Sequence, residues 1–108
     1  MKIYKTQAAV ERDVVNGVLI VKESVKFAFH LQIEANLRIA GNILAGNILA
    51  GDISAGDISA GNISARDISF YAVCFAYVEF VCKSIRGNRK NSKYFCLDSK
   101  VKIEKEGK

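Results

Sequence analysis

The sequence predicts an all-β protein, a single-stranded β-solenoid in which the chain winds into stacked coils. Three features of the chain support this fold class. Residues 40–69 repeat every five positions, as A-G-N-I-L, A-G-N-I-L, A-G-D-I-S, A-G-D-I-S, A-G-N-I-S and A-R-D-I-S. Before that run, apolar residues recur every six positions. In both sections each apolar residue has an apolar partner two positions later, which is typical of short strands with one buried face.

A five-residue period excludes the two regular alternatives. Around a helix, successive isoleucines would advance by about 140° and would not share a face. Glycine at every fifth position would cost that helix about 1 kcal/mol each time. In a flat sheet, an odd period would put alternate isoleucines on opposite faces. We therefore predict a chain that bends once per repeat, with glycine and Asn or Asp at the bends, where a positive φ is tolerated.

The pairs of apolar residues predict which side chains fill the solenoid. They run from Leu19/Val21 to Val78/Phe80 and place a solenoid over residues 15–82. At five or six residues per side, this length makes about three to four coils. The predicted core contains the first residue of each pair, including Leu31, Leu37, Ile43, Ile48, Ile53, Ile58, Ile63, Ile68, Val73 and Val78.

The tandem section also resembles a known family. Asn or Asp stands directly before the central aliphatic residue in Asn42-Ile43, Asn47-Ile48, Asp52-Ile53, Asp57-Ile58, Asn62-Ile63 and Asp67-Ile68. Over about residues 41–80 this pattern resembles pentapeptide-repeat proteins, and the resemblance implies four repeats per square coil. The upstream section is similar in spacing to hexapeptide and bactofilin-like solenoids. The family usually places a small residue two positions before the aliphatic, pointing inward. Arg66 stands there in this chain, and we expect it outside because an unpaired buried charge is costly.

Both ends are predicted to be capped. Residues 1–14 form the N-terminal cap segment, and residues 83–108 form a basic loop followed by a short β-hairpin around Asp98 and Ser99 that covers the open strand edges. The tail from 83 to 108 has nine Lys/Arg and three Asp/Glu, a net charge of +6, whereas residues 1–82 have seven and eight, a net charge of −1.

Two groups of residues are candidates for binding. The basic group could bind phosphates of nucleic acid or form a solvated loop whose charge discourages edge pairing, and we favour the loop. Aromatic residues near the coil end are candidates for contact with a protein or a second subunit, the alternative being that the hairpin covers them. A homodimer is the simplest assembly. The basic group is Lys83, Arg86, Arg89, Lys90 and Lys93, and the protein-contact group is Tyr71, Tyr77 and Phe80.

Catalysis, a metal site and a cofactor are not expected. The chain has no nucleophile beside a base, no phosphate loop and no paired carboxylates. His30 is the single histidine, and the spacing of Cys74, Cys82 and Cys96 matches no zinc pattern. Cys74 is expected to face outward. The Asn/Asp series is expected to hydrogen-bond the local backbone, because neighbouring repeats of a four-sided coil fall on different sides.

Taken together, these patterns favour a non-enzymatic protein-binding or scaffold module, of the kind a small phage or prophage inhibitor of a host or defence protein would be. Two alternatives stay open: nucleic-acid binding through the basic tail, and a structural unit that assembles into filaments. The polar first residues do not form a signal peptide, and no stretch is apolar enough to span a membrane. An odd, widely spaced set of three cysteines argues against a secreted protein. We expect a cytoplasmic location in a bacterial cell or a phage-infected host.

Overall fold

The structure, a computed structural model, describes residues 1–104 and shows an all-β chain wound into a solenoid of about 5 turns. Its only helix in this part of the chain is α1 (Gln7–Asp13). The strands are β1 (Lys2–Tyr4), β2 (Val14–Val15), β3 (Val18–Val21), β4 (Val25–Gln32), β5 (Asn36–Ile39), β6 (Ile43–Leu49), β7 (Ile53–Ser54), β8 (Ile58–Ser64), β9 (Asp67–Phe70), β10 (Val73–Cys82), β11 (Ser84–Gly87), β12 (Lys93–Cys96) and β13 (Val101–Ile103).

The strands form two sheets that run along the solenoid. One sheet has the order β1-β4-β6-β8-β10-β12, with β13 also paired to β10, and the other has the order β11-β9-β7-β5-β3-β2. Within residues 1–104, β2 and β3 make the one antiparallel pairing, and the rest are parallel. Parallel pairing between successive coils is the defining contact of a solenoid. The predicted fold class is therefore confirmed, with more coils than expected.

Each coil has three sides, because the long strands of the first sheet bend midway. The register shifts between Phe27 and His30 in β4, and between Ala76 and Glu79 in β10. A long strand thus supplies two sides, and a short strand of the second sheet supplies the third. In the tandem section the three sides stack Ile43 on Ile58, Ile48 on Ile63 and Ile53 on Ile68, each pair three repeats apart. The resemblance to pentapeptide-repeat proteins implied four repeats per coil, but in this register each coil contains three repeats.

The change of period alters the width of the coil and leaves the number of sides unchanged. Equivalent corner residues lie 18 positions apart at Ser24 and Asn42, where each side has six residues. They lie 15 positions apart at Asn42 and Asp57, where each side has five. The inward Phe27 of the wider coil stacks on Ala45 of the narrower one. A side that is one residue shorter leaves less room inside, so alanine takes the place of phenylalanine.

The solenoid is filled by one column of aliphatic and aromatic side chains. Among the described residues, no charged or polar side chain is buried. Arg66 lies outside, as the sequence predicts, with its Nε atom 3.8 Å from Asp52 Oδ1. Eight of the ten residues predicted for the core are no more than 2% exposed, namely Leu31, Leu37, Ile43, Ile48, Ile53, Ile58, Ile63 and Ile68.

The other two predicted core residues are corrected by the structure. Val78 is 54% exposed and Val73 is only half-buried. Cys74 and Phe80 occupy the column instead, both with 0% exposure, so the expectation that Cys74 faces outward is wrong. The inward residues Ile68, Cys74 and Phe80 are again six apart. A five-residue period continued past Ile68 therefore assigns the outer face of β10 to the core.

Side chains at the corners connect successive coils. The backbone N–H of Asp57 donates to Asn42 Oδ1 at 2.8 Å, and the N–H of Asn62 donates to Asn47 Oδ1 at 3.1 Å. The N–H of Asp67 donates in the same way to Asp52 Oδ1, at 3.2 Å. We expected these side chains to bond the local backbone, but each accepts from the equivalent residue of the next coil. This is possible because three-sided coils bring every third repeat to the same corner.

A glycine precedes every Asn or Asp of the tandem section except Asp67, and it makes room for this ladder. A Cβ atom on Gly56 would lie 2.6 Å from Asn42 Oδ1 and 3.0 Å from the carbonyl oxygen of Gly41. A larger residue would thus displace the side chain that bonds Asp57. Positive φ does not explain these glycines, contrary to expectation, since in residues 1–104 it occurs only at Asn16 and Gly17. These two residues form the turn between β2 and β3.

The N-terminal end of the column is covered. Thr6 caps the N-terminus of helix α1, and its Oγ1 accepts from the N–H of Ala9 at 3.2 Å. The helix buries Val10 completely. Tyr4 stacks on Phe27 with ring centroids 5.7 Å apart, and its hydroxyl donates to Asp13 Oδ2 at 2.7 Å. Burial and the carboxylate of Asp13 raise the pKa of Tyr4. The same hydrogen bond lowers the pKa of Asp13.

Candidate functional site

The last coil gives the C-terminal end a different construction. We expected β12 and β13 to fold into a capping hairpin, but both pair in parallel with β10. With β11, which pairs with β9, they form one more turn of the solenoid. Each of the three strands has a neighbour on one side only within the described chain. The segment predicted to cover the strand edges therefore forms the last coil, and its own strand edges are exposed. We call β11, β12 and β13 the open coil.

Side chains at this end of the column are partly exposed. Tyr94 is aligned with the buried Cys74 yet remains 42% exposed, and Ile103, aligned with the buried Cys82, is 38% exposed. Ile85, Cys96 and Val101 are half-buried against the core. In earlier coils the equivalent positions are closed by the next turn. Here no part of residues 1–104 covers them.

An aromatic patch lies on the side of the coils formed by the first half of β10. The rings of Phe75 and Phe95 stack at a centroid distance of 5.3 Å and an angle of 6°, and Tyr77 meets Phe75 edge-on at 5.4 Å. Tyr77 is 50% exposed, and Leu97, after β12, is 57% exposed. We define the aromatic patch as Phe75, Tyr77, Val78, Phe95 and Leu97. Contiguous exposed apolar residues of this kind are common at sites of protein contact.

The protein-contact residues predicted from sequence are separated by the structure. Tyr77 lies in the aromatic patch, and Tyr71 is 56% exposed at the corner before β10. Phe80 has no exposed area, so its assignment to a contact surface is wrong. Phe95 and Leu97 were missed, since the tail was assigned to a hairpin. The signal was present in Y-F-C-L, where Phe95 and Leu97 alternate with two residues that point into the column.

The basic side chains surround the open coil. Arg86, Arg89, Lys90 and Lys93 are exposed, while Lys83 is half-buried and engaged with its surroundings. From 83 to 104 there are seven Lys/Arg and two Asp/Glu, so the described part of the tail has a net charge of +5. The positive charge of the chain is thus concentrated where the backbone edge and the aromatic patch are exposed.

The cysteines mark the boundary between core and open coil. Cys74 and Cys82 are buried, and Cys96 is half-buried. Burial raises the pKa of the Cys82 thiol to about 11, and it raises the pKa of Cys74 as well. Both buried thiols are therefore protonated and inert at neutral pH. Sγ of Cys96 lies 3.4 Å from the hydroxyl oxygen of Ser99.

In the part of the chain that the structure describes, His, Cys, Asp and Glu side chains form no group of three or more that could hold a metal ion. The helix in this part of the chain, of 7 residues, is too short to cross a membrane.

The chain was compared with models of protein families, with curated proteins and with solved structures, and none of them matches it.

Proposed function

We propose that this chain is a non-enzymatic protein-binding module whose interface is the open coil together with the aromatic patch. The observation that supports this is the difference between the two ends. Helix α1 covers the N-terminal end of the column and buries Val10, whereas at the C-terminal end Tyr94 and Ile103 are 42% and 38% exposed. Solenoids need their terminal coils covered to stay soluble. A bound partner protein would cover the open coil.

A comparative capture experiment tests the proposal. The immobilised chain is exposed to an extract of its source cells in three forms: unchanged, with Phe95→Ser and Leu97→Ser together, and with Val15→Ser. Val15 is 66% exposed on the covered side of the molecule, so the last form is a matched control. We expect a protein that the unchanged chain and the control retain and the double variant loses. Equal retention by all three forms would count against the proposed interface.

Nucleic-acid binding is a second candidate, and a specific observation favours it. Arg86, Arg89 and Lys90 are exposed in the same coil as the partly exposed rings of Tyr94 and Phe95. Cations next to aromatic rings are the usual components of single-strand binding surfaces. A gel shift with single-stranded DNA that weakens with salt and disappears when the three cations become alanine would support it. The absence of any shift at low salt would remove this candidate.

Self-association is a third candidate. Stacking two open coils would bring like charges together, and stacking an open coil on the opposite end would require α1 to leave. A homodimer through the aromatic patch leaves α1 in place and buries the exposed Phe95 and Leu97, and it is the form of dimer we propose. Sedimentation velocity should then give one dimer species that Phe95→Ser converts to monomer. A filament would instead grow continuously with protein concentration.

We also propose that the tandem section is a pentapeptide repeat that closes a coil with three units. The five-residue period and the 15-residue offset between Asn42 and Asp57 support this. Inserting three A-G-N-I-S repeats, about one coil, after Leu49 should lengthen the solenoid and keep its stability. Inserting four repeats should shift every later side by one corner and destabilise the fold. Equal stability of the two insertions would contradict a three-unit coil.

A further inference from the structure

We propose that the open coil binds an extended, acidic segment of a protein, which adds to the free edge of β12 as a new strand. This inference rests on the proposed protein-binding function and names the chemistry of the partner. It follows from the backbone, the side chains and the charge of the open coil.

The backbone of β12 has an unused edge. The N–H of Lys93 donates to the carbonyl oxygen of Ala72 at 2.9 Å, and that of Leu97 donates to Ala76 at 3.1 Å. Successive residues of a strand direct their backbone groups to opposite sides, so Tyr94 and Cys96 direct theirs away from β10. An edge of this kind is a template for another strand.

The side chains of β12 determine the pattern of the added strand. Tyr94 and Cys96 follow the inward column of Cys74 and Ala76, so apolar residues of the incoming segment would cover them. Lys93 points outward, and a carboxylate beside it on the next strand makes a favourable cross-strand pair. The matching segment therefore alternates apolar and acidic residues.

Charge favours this occupant over a second copy of the chain. Two open coils with a net charge of +5 each, over residues 83–104, repel one another. An acidic segment from another protein avoids this repulsion.

A peptide also fits this edge better than a nucleic acid does. The phosphate oxygens of a nucleic acid accept hydrogen bonds and donate none. They can pair with the N–H groups of Tyr94 and Cys96 but leave the carbonyl groups of the same two residues without partners. An extended peptide supplies donors and acceptors in alternation, so it satisfies both kinds of group.

Fluorescence anisotropy with a defined probe tests the inference. The probe is a fluorescein-labelled peptide of alternating valine and glutamate, and the protein is the full chain. We expect saturable binding that falls by about tenfold when alternate peptide nitrogens are methylated, because this removes donors from one edge. Lys93→Glu should weaken binding by about tenfold, whereas the matched control Lys22→Glu, an exposed residue near the covered end, should leave it unchanged.

Several results would overturn the inference. They are the absence of saturable binding at low salt, equal binding of the methylated peptide, and equal effects of Lys93→Glu and Lys22→Glu. Tighter binding of a labelled oligothymidylate than of the peptide at the same salt would assign the surface to nucleic acid. If the peptide does not bind but capture of a cellular protein still depends on Phe95 and Leu97, strand addition is wrong and the protein-binding function stands.

Discussion

The two ends of one column show how much a repeat depends on its neighbours. At the N-terminal end, Phe27 stacks on Tyr4 beneath helix α1 and is 1% exposed. At the C-terminal end, Tyr94 continues the column next to the buried Cys74, meets Phe70 edge-on with ring centroids 6.4 Å apart and is 42% exposed. Both rings belong to the column, but only Phe27 is covered by further chain. A side chain at the end of a solenoid needs a further coil to bury it, so the two ends differ in exposure although they share a fold.

The largest difference is expected when each of these rings is removed. Phe27→Ala leaves a cavity in a closed core and should lower the free energy of unfolding by about 3–5 kcal/mol. Tyr94→Ala removes a half-exposed ring from the open end of the column and should lower it by about 1 kcal/mol or less. Urea denaturation followed by circular dichroism measures both values. Equal losses would mean that the C-terminal coil is as firmly packed as the N-terminal one.

The rates of cysteine alkylation should differ in the same way between the closed column and the open coil. Cys96 belongs to the open coil, whereas Cys74 and Cys82 react only after the column opens. The raised pKa of Cys82, about 11, further lowers its thiolate fraction. We expect iodoacetamide at pH 8 to alkylate Cys96 at least about 100-fold faster than either buried thiol. Peptide mass spectrometry over time gives the three rates, and comparable rates for Cys82 and Cys96 would contradict the closed column.

The corner ladder offers a smaller, matched test. Asn42 Oδ1 accepts from the N–H of Asp57, whereas the buried Oδ1 of Asn62 has no partner. Glu79 of the next coil is aligned with Asn62, directly after the register shift that begins at Ala76. Asn42→Ala should cost about 1 kcal/mol. Asn62→Ala should cost less than about 0.5 kcal/mol, because it removes an acceptor that is already unpaired. A larger loss at Asn62 would show that the ladder continues past it.

The smallest expected effect is on the thermal stability of the protein at acidic pH. The hydrogen bond from Tyr4 lowers the pKa of Asp13 in the folded state, so its contribution is present above the unfolded pKa. It is lost as the pH falls below about 4 and through the folded value. Tyr4→Phe should therefore lower the melting temperature slightly at pH 7 and reduce its decline between pH 5 and pH 2. Thermal melts of both proteins measure this. Parallel declines would show that the bond does not hold the N-terminal cap.

The inward residues between positions 19 and 70 could be predicted from the sequence, because each side of the coil has the same pair of apolar residues two positions apart. Leu37, Ile53 and Ile68 occupy one column, and every partner two positions later obeys one rule of strand geometry. In β10 that signal is ambiguous, because V-C-F-A-Y-V-E-F places apolar residues in both phases. Packing decides between them. Cys74 and Ala76 fit the narrow column, and the larger Val73 and Phe75 take the outer face.

The candidate site was only partly accessible to the same reasoning. The basic residues and Tyr77 were identified from composition, while Phe95 and Leu97 were assigned to a hairpin. Alternation of apolar and polar residues is the same in a hairpin and in two sides of a coil, so it could not distinguish them. The distinction is whether β13 turns back on β12 or continues to β10, and that depends on a partner strand distant in sequence.

The sequence by itself determined the period, the inward column of Leu37, Ile53 and Ile68, and the placement of positive charge after residue 82, because each of these is a property of residues close together in the chain. The tertiary structure alone decided the three sides of the coil, the bonds from Asn42 to Asp57 and the open C-terminal coil. These depend on which distant strands pair, since the angle at each corner is set by hydrogen bonds between coils rather than within one.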